Sequence, residues 1–171
     1  MFLLTPTTVV TSASDLTTAS KCEFAFARQL DVKLGRIAAV DEAPDAMLKR
    51  AGKLGGEHEE RWLDHYRATT TVVEIDRPRS MSPEHLRERA AETLEAFAAE
   101  AEVVFQATFF DESNAASPFV GFADFIVRQP DGRYRVQDTK LARHVKVTAL
   151  LQLAAYHEPV SYTHLTLPTK A

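Results

Sequence analysis

The chain of 171 residues holds a single cysteine, Cys22, which excludes an internal disulfide and leaves nothing that points to an oxidising compartment. No apolar run approaches the roughly 18 residues a membrane span needs. The opening MFLLTPTTVV lacks both the basic flank and the small-residue cleavage site of a secretory signal. A cytoplasmic protein with no membrane contact is expected. Basic excess is missing as well: the formal net charge is -4, which argues against a uniformly basic nucleic-acid coat while leaving room for a local patch. No internal repeat or low-complexity tract occurs. What is present suffices for one core, since 45% hydrophobic and 26% charged side chains over this length suit a single domain.

The style of the sequence changes after Pro159. The segment VSYTHLTLPTKA is Thr-rich and uncharged until Lys170. It resembles translated adaptor read-through on a truncated gene, with an edge strand as the other reading. The expected organisation is a domain over 1–159 followed by a non-native tail over 160–171.

Between these limits the periodicities alternate. LTTASKCEFAFARQL, capped by Ser14, suits a moderately amphipathic helix. DAMLKRAGKLGGEHEERWLDHYRA reads as helical, interrupted at Gly55 and Gly56 and restarted with Glu57, Glu59 and Glu60 in its first turn. His58, Trp62 and Tyr66 then share a face. TTTVVEI is β-branched and strand-like. SPEHLRERAAETLEAFAAEA opens with Ser82 as cap and Pro83 at the first helical position, and Leu86, Ala90, Leu94, Phe97 and Ala101 recur at spacings of three and four. VVFQATFF, FVGFADFIVR and RYRVQDTKL follow as strands, and VTALLQLAAY as a helix. The order predicts an α/β domain with a central mixed sheet of three to four strands flanked by helices.

The turn QPDGR fixes how the last two strands face each other. It fits a three-residue hairpin loop with Pro130 starting a type I turn and Gly132 in the left-handed position. Gln129 then opposes Arg133, and counting back sets Asp124 directly across from Asp138. Alternation puts Asp124, Asp138 and Lys140 on one side of the sheet, with Phe122, Ile126 and Val136 beside them. Two carboxylates at about 5 Å repel by roughly 3 kcal/mol at an effective dielectric near 20. Lys140 offsets part of this. A divalent cation taking an oxygen from each acid answers the geometry better, because hard cations select carboxylate oxygens.

GFADFIV followed by VQDTKLA resembles the signature of the PD-(D/E)XK nuclease superfamily, and LGGEHEERWL and LLQLAAY resemble the remaining motifs of its RecB-like branch. Within that branch the chain is similar to the RecB-like nucleases often fused to a superfamily 1 helicase. The likeness spans residues 12–158 and implies a restriction-endonuclease-like core. It implies a metal-dependent deoxyribonuclease that takes part in DNA repair, acts on single strands or free ends, and has a helicase domain as partner in the same full-length chain. The alternative is a module of the same fold that binds nucleic acid or a helicase without cleaving, and truncation leaves the activity of the fragment open.

Carried onto this sequence, the resemblance implies that His58, Asp124 and Asp138, with the main-chain carbonyl of Thr139, hold Mg²⁺ or Mn²⁺. Glu59 becomes an additional or water-mediated ligand, and Lys140 orients or deprotonates the attacking water. Gln152 and Tyr156, four apart on the last helix, are implied to meet the substrate backbone or Lys140. Arg143 and Lys146 gather near the acids, where they could bind phosphates. Cys22 stands where some RecB-like nucleases carry the early ligand of an iron-sulfur cluster. Such a cluster usually needs four thiolates, so in this chain Cys22 reads as a buried structural cysteine and a cluster is expected only in the full-length protein.

Overall fold

The computed structural model describes residues 1–40, 45–140, 144 and 146–166. Among the described residues a mixed sheet of six strands lies between helices, where the sequence pattern suggests three to four. The extra pair is an N-terminal hairpin, β1 (Phe2–Thr5) and β2 (Thr8–Ser12), which the sequence offered only as a short apolar run. It is stabilised by what it covers: Val10, Leu86 and Val120 form a buried cluster, with Phe2 and Leu4 packed against it.

Two helices follow where one was expected. α1 (Ala13–Lys21) and α2 (Glu23–Lys33) are divided by Cys22, whose backbone is extended. Hydroxyls in α1 bond back to its own carbonyls, Thr18 to Ser14 at 3.1 Å and Ser20 to Thr17 at 2.9 Å. Such bonds compete with the helical ladder. Cys22 then starts the next helix, its Sγ accepting the Ala25 N–H at 3.4 Å. The cap of α1 is Ser12 rather than Ser14: Asp15 Oδ2 accepts the Ser12 N–H at 2.9 Å and its hydroxyl at 2.7 Å. Cys22 is exposed, which corrects the expectation of a buried thiol.

α3 (Ala46–Thr69) runs unbroken through Gly55 and Gly56. Asp45 caps it by accepting from Met47 N and Leu48 N at 2.8 and 3.2 Å. Each glycine costs about 1 kcal/mol relative to alanine in a helix, and the cap together with the burial of Leu63 offsets that loss. β3 (Val72–Glu74) follows, and then α4 (Pro83–Ala98), capped by Ser82 and started by Pro83 as its sequence implies. α4 stops at Ala98, where Glu100 turns left-handed at φ 57, so Ala101 is buried beyond the helix instead of within it.

β4 (Val103–Asp111), β5 (Phe119–Arg128) and β6 (Tyr134–Gln137) form an antiparallel run. β3 lies parallel to β4, and β2 parallel to β5. α5 (Val147–Thr166) closes the described chain and crosses the expected boundary at 159. No helix of the described residues is long and apolar enough to cross a membrane.

α3 covers one face of the sheet, where Leu63 and Tyr66 pack with Val103, Phe105, Phe125 and Val127. α4 and α5 cover the other, where Phe97, Tyr156 and Val160 meet Val104 and Ile126. The closest approach is at Gly121. A Cβ placed there would lie 2.8 Å from the Tyr156 ring, so the bare backbone is what lets α5 settle on β5. Gly121→Ala should destabilise the fold by about 1–3 kcal/mol, read by urea unfolding. In a Tyr156→Ala background the added loss should fall well below that, and an equal loss in both backgrounds would show that the ring contact is not its source.

Candidate active site

The hairpin builds the site as its turn dictates. Gly132 stands at φ 83, its N–H reaches the Gln129 carbonyl at 2.9 Å, and Gln129 N–H reaches the Arg133 carbonyl at 2.7 Å. The ladder runs from Arg128 opposite Tyr134 to Phe125 opposite Gln137. One step further, beyond the end of β6, Asp124 and Asp138 come within hydrogen-bonding reach of each other. Ile126 and Val136, on the neighbouring rungs, belong to the core beneath α5.

β5 is paired unevenly around this point. β4 takes one edge, so β2 and β6 share the other: β2 meets Phe119 and Val120, and β6 meets Phe125 to Arg128. Gly121 to Asp124 lie between, where neither ladder reaches. The β4 side is irregular at the same level. Pairing is regular at Phe105 with Phe125 and at Ala107 with Ala123 but is lost between Gln106 and Asp124, and Gln106 is left-handed at φ 56. A non-glycine residue in that conformation is strained, and such strain collects at functional positions. Its amide is held by the Glu59 carboxylate of α3.

Electrostatics follow from this crowding. Burial first, and then the hydrogen-bonding proximity and charge of Asp138, push the Asp124 carboxyl up from 3.8 to about 7; Glu59 adds to the rise. Thr139 works the other way, donating its N–H and its hydroxyl to Asp124 Oδ2 at 3.1 and 3.3 Å. Lys140 Nζ lies 2.8 Å from Asp138 Oδ1, on a lysine half open to solvent. Asp138 Oδ2 is buried with no hydrogen-bond partner among the described residues. Tyr156 sits over this edge. Burial, chiefly, pushes its hydroxyl up to about 12; a backbone hydrogen bond from Phe122 opposes that, and the charges of Asp124 and Asp138 reinforce it.

The expected residues therefore divide. Asp124, Asp138, Thr139 and Lys140 come together, Glu59 is within electrostatic reach, and Tyr156 backs the site from α5. His58 is turned to Arg61, its Nδ1 3.3 Å from the guanidinium. One residue apart on a helix is a rotation of about 100°, and Glu59 takes the direction toward the sheet. Gln152 is half-buried one turn before Tyr156, Lys146 is exposed ahead of α5, and Arg143 lies outside the described residues. Gln106 was not foreseen: a glutamine inside a strand-like run carries no signal of a left-handed turn.

Among the described residues no group of three or more His, Cys, Asp or Glu side chains stands at metal-holding spacing. The donors at hand nonetheless fit a hard divalent ion, because two facing carboxyls, one with a buried oxygen that receives no N–H or hydroxyl group of the described residues, could exchange the proton on Asp124 for a cation. A mixed sheet that parts at a facing acid pair, with a lysine two residues beyond the second acid, is the arrangement of restriction-endonuclease-like proteins. A family model of the PD-(D/E)XK nuclease superfamily matches residues 10–168, and the chain belongs to that superfamily. No curated protein and no solved structure gives a match.

With its pKa raised, the Asp124 carboxyl keeps a proton in the metal-free fold that the unfolded chain has released. The stability this confers is full below about pH 4 and is lost as pH rises through about 7. Asp124→Asn should flatten that decline, by on the order of a few kcal/mol. Urea unfolding in EDTA across this range checks it, and parallel pH slopes for the two proteins would refute the raised Asp124 carboxyl.

Proposed function

We propose that this domain is a metal-dependent deoxyribonuclease that hydrolyses phosphodiester bonds in single strands or at free ends, as part of a larger helicase-nuclease. The observation that carries the reading is the Asp124–Asp138 pair with its donor-less Oδ2 and adjacent Lys140. A protein that only bound polyanions would gain nothing from two facing acids, since they repel phosphate. That weighs against the non-catalytic module.

Asp124, Asp138 and the main chain at Thr139 would hold Mg²⁺ or Mn²⁺, and Glu59 supports the site from α3, by its carboxylate or through water. A divalent ion held there supplies polarisation of the scissile phosphate and neutralises charge at the leaving oxygen. Lys140 is anchored on Asp138 Oδ1, and its exposure lets it orient or deprotonate a water approaching from solvent. Thr139 fixes Asp124 from behind. Tyr156 is buried against Gly121 and sets the position of β5, and Gln152, half-buried one turn earlier on α5, would meet the substrate backbone.

Purified protein with Mn²⁺ should cleave labelled single-stranded DNA, and Asp138→Ala and Lys140→Ala should each lower the rate by about a hundredfold or more. Cleavage that survives both substitutions overturns the assignment. Calorimetric titration with Mn²⁺ tests the site without a substrate. Asp124→Ala and Asp138→Ala should abolish the binding heat, Glu59→Gln should weaken binding, and His58→Ala should leave it unchanged. Loss of binding in His58→Ala would restore the histidine as a ligand.

A further inference from the structure

α3 is asymmetric in a way the proposed chemistry does not use. Two side chains fix its orientation on the sheet. Arg67 reaches Glu74 on β3 at 2.8 Å, and the Tyr66 hydroxyl donates to Gln137 Oε1 on β6 at 2.5 Å. One flank therefore faces β3 and the other faces β6, the strand that leads into Asp138 and Lys140. On the β3 flank Arg67 also gathers Glu60 and Asp64, each at 3.0 Å. At about 100° per residue, Trp62 lies roughly 140° round the helix from Arg67, beyond Tyr66 on the β6 flank. Its neighbours there are His58, four residues before it, and His65, three after. Glu60 and Asp64 are drawn to one side, and Trp62 and the two imidazoles lie on the other, with Glu59 turned inward toward the site.

Trp62 is 44% exposed, yet it is braced. The His65 ring meets it edge-on at 5.7 Å, and Tyr66 lies 6.4 Å away. Tyr66 in turn rests on Phe125 at 5.2 Å, one residue from Asp124. A large flat side chain is thus held at the surface by an aromatic train rooted in the core beside the acids, with little rotamer freedom left to lose on contact. It lies three residues, about one turn, beyond Glu59.

We infer that Trp62 is a stacking platform that takes one unpaired base of a single-stranded DNA whose backbone passes Asp124 and Asp138, so that the domain favours single strands over duplex. The inference rests on the nuclease reading above. An unpaired base offers a π-face that this indole can meet, whereas in a duplex the same face is covered by its neighbours. The imidazoles beside Trp62, one of them joined to the Arg61 guanidinium at 3.3 Å, suit the accompanying phosphates.

The chain carries one tryptophan, so its fluorescence reports this position alone. Oligothymidylate should be titrated in EDTA, where cleavage is off, with tryptophan emission and the anisotropy of a labelled oligonucleotide read in parallel. Binding should quench the emission. Trp62→Leu should weaken single-strand binding by about five- to a hundredfold, Trp62→Phe should recover part of it, and duplex binding should be the same in all three proteins. Emission that stays constant while anisotropy reports binding would overturn the platform and leave the nuclease reading intact. Equal single-strand affinity in Trp62→Leu would do the same. No binding of either form by the wild-type protein would end both.

Discussion

Two carboxylates that face each other at the end of a β-hairpin are the constraint around which the rest of this domain is arranged. Left alone they repel, and partial burial removes the water that would soften the repulsion. Each surrounding feature is a partial answer. Thr139 gives Asp124 two donors, Lys140 gives Asp138 a positive charge, and the raised Asp124 carboxyl takes a proton when nothing better is offered. Apart from that proton, no group of the described residues satisfies Asp138 Oδ2. A plain sheet position would carry valine or threonine here, so the unsatisfied oxygen is a departure from structural need and points to chemistry.

The sheet provides the room for this pair by failing to pair completely. β2 and β6 divide one edge of β5 between them and leave Gly121 to Asp124 in the gap. On the far edge the left-handed Gln106 breaks the ladder opposite Asp124. Backbone groups freed in this way need other partners, and Tyr156 meets Phe122 for that reason. The same tyrosine requires glycine at 121, so one side-chain contact couples the seating of α5 to the opening of β5.

How much of this was written in the sequence depends on how local the cause was. The hairpin register was legible because a three-residue loop with Gly132 in the left-handed position allows few alternatives, and the facing of Asp124 and Asp138 followed by counting. α4 was legible from Ser82, Pro83 and a regular apolar spacing. The hairpin of β1 and β2 was hidden, because its short strands are held by burial against Leu86 and Val120, far along the chain. The break at Cys22 and the continuity across Gly55 and Gly56 also ran against local signals. In the first, hydroxyls bonded to their own backbone tipped the balance; in the second, a capped helix anchored at Leu63 absorbed the glycines. The choice between His58 and Glu59 was open for a similar reason, since adjacent helical residues differ only in direction and direction is set by packing.

That direction has consequences along the whole of α3. Once Leu63 and Tyr66 are seated on Phe125, Glu59 must point to Gln106 and the acid pair, and Arg67 must point to β3. His58 and Trp62 are then left on the flank that looks past β6. The segregation of charge on this helix is therefore no separate feature of the sequence. It follows from one packed face, which sends Glu60 and Asp64 to Arg67 on the β3 flank and leaves Glu59 as the acid turned to the site. On the proposed nuclease reading, a polyanion approaching the acid pair meets repulsion from the pair itself, so the imidazoles and the π-face that would guide it have to lie along one bank of the site. Seating α3 through Leu63 and Tyr66 puts them on the β6 bank.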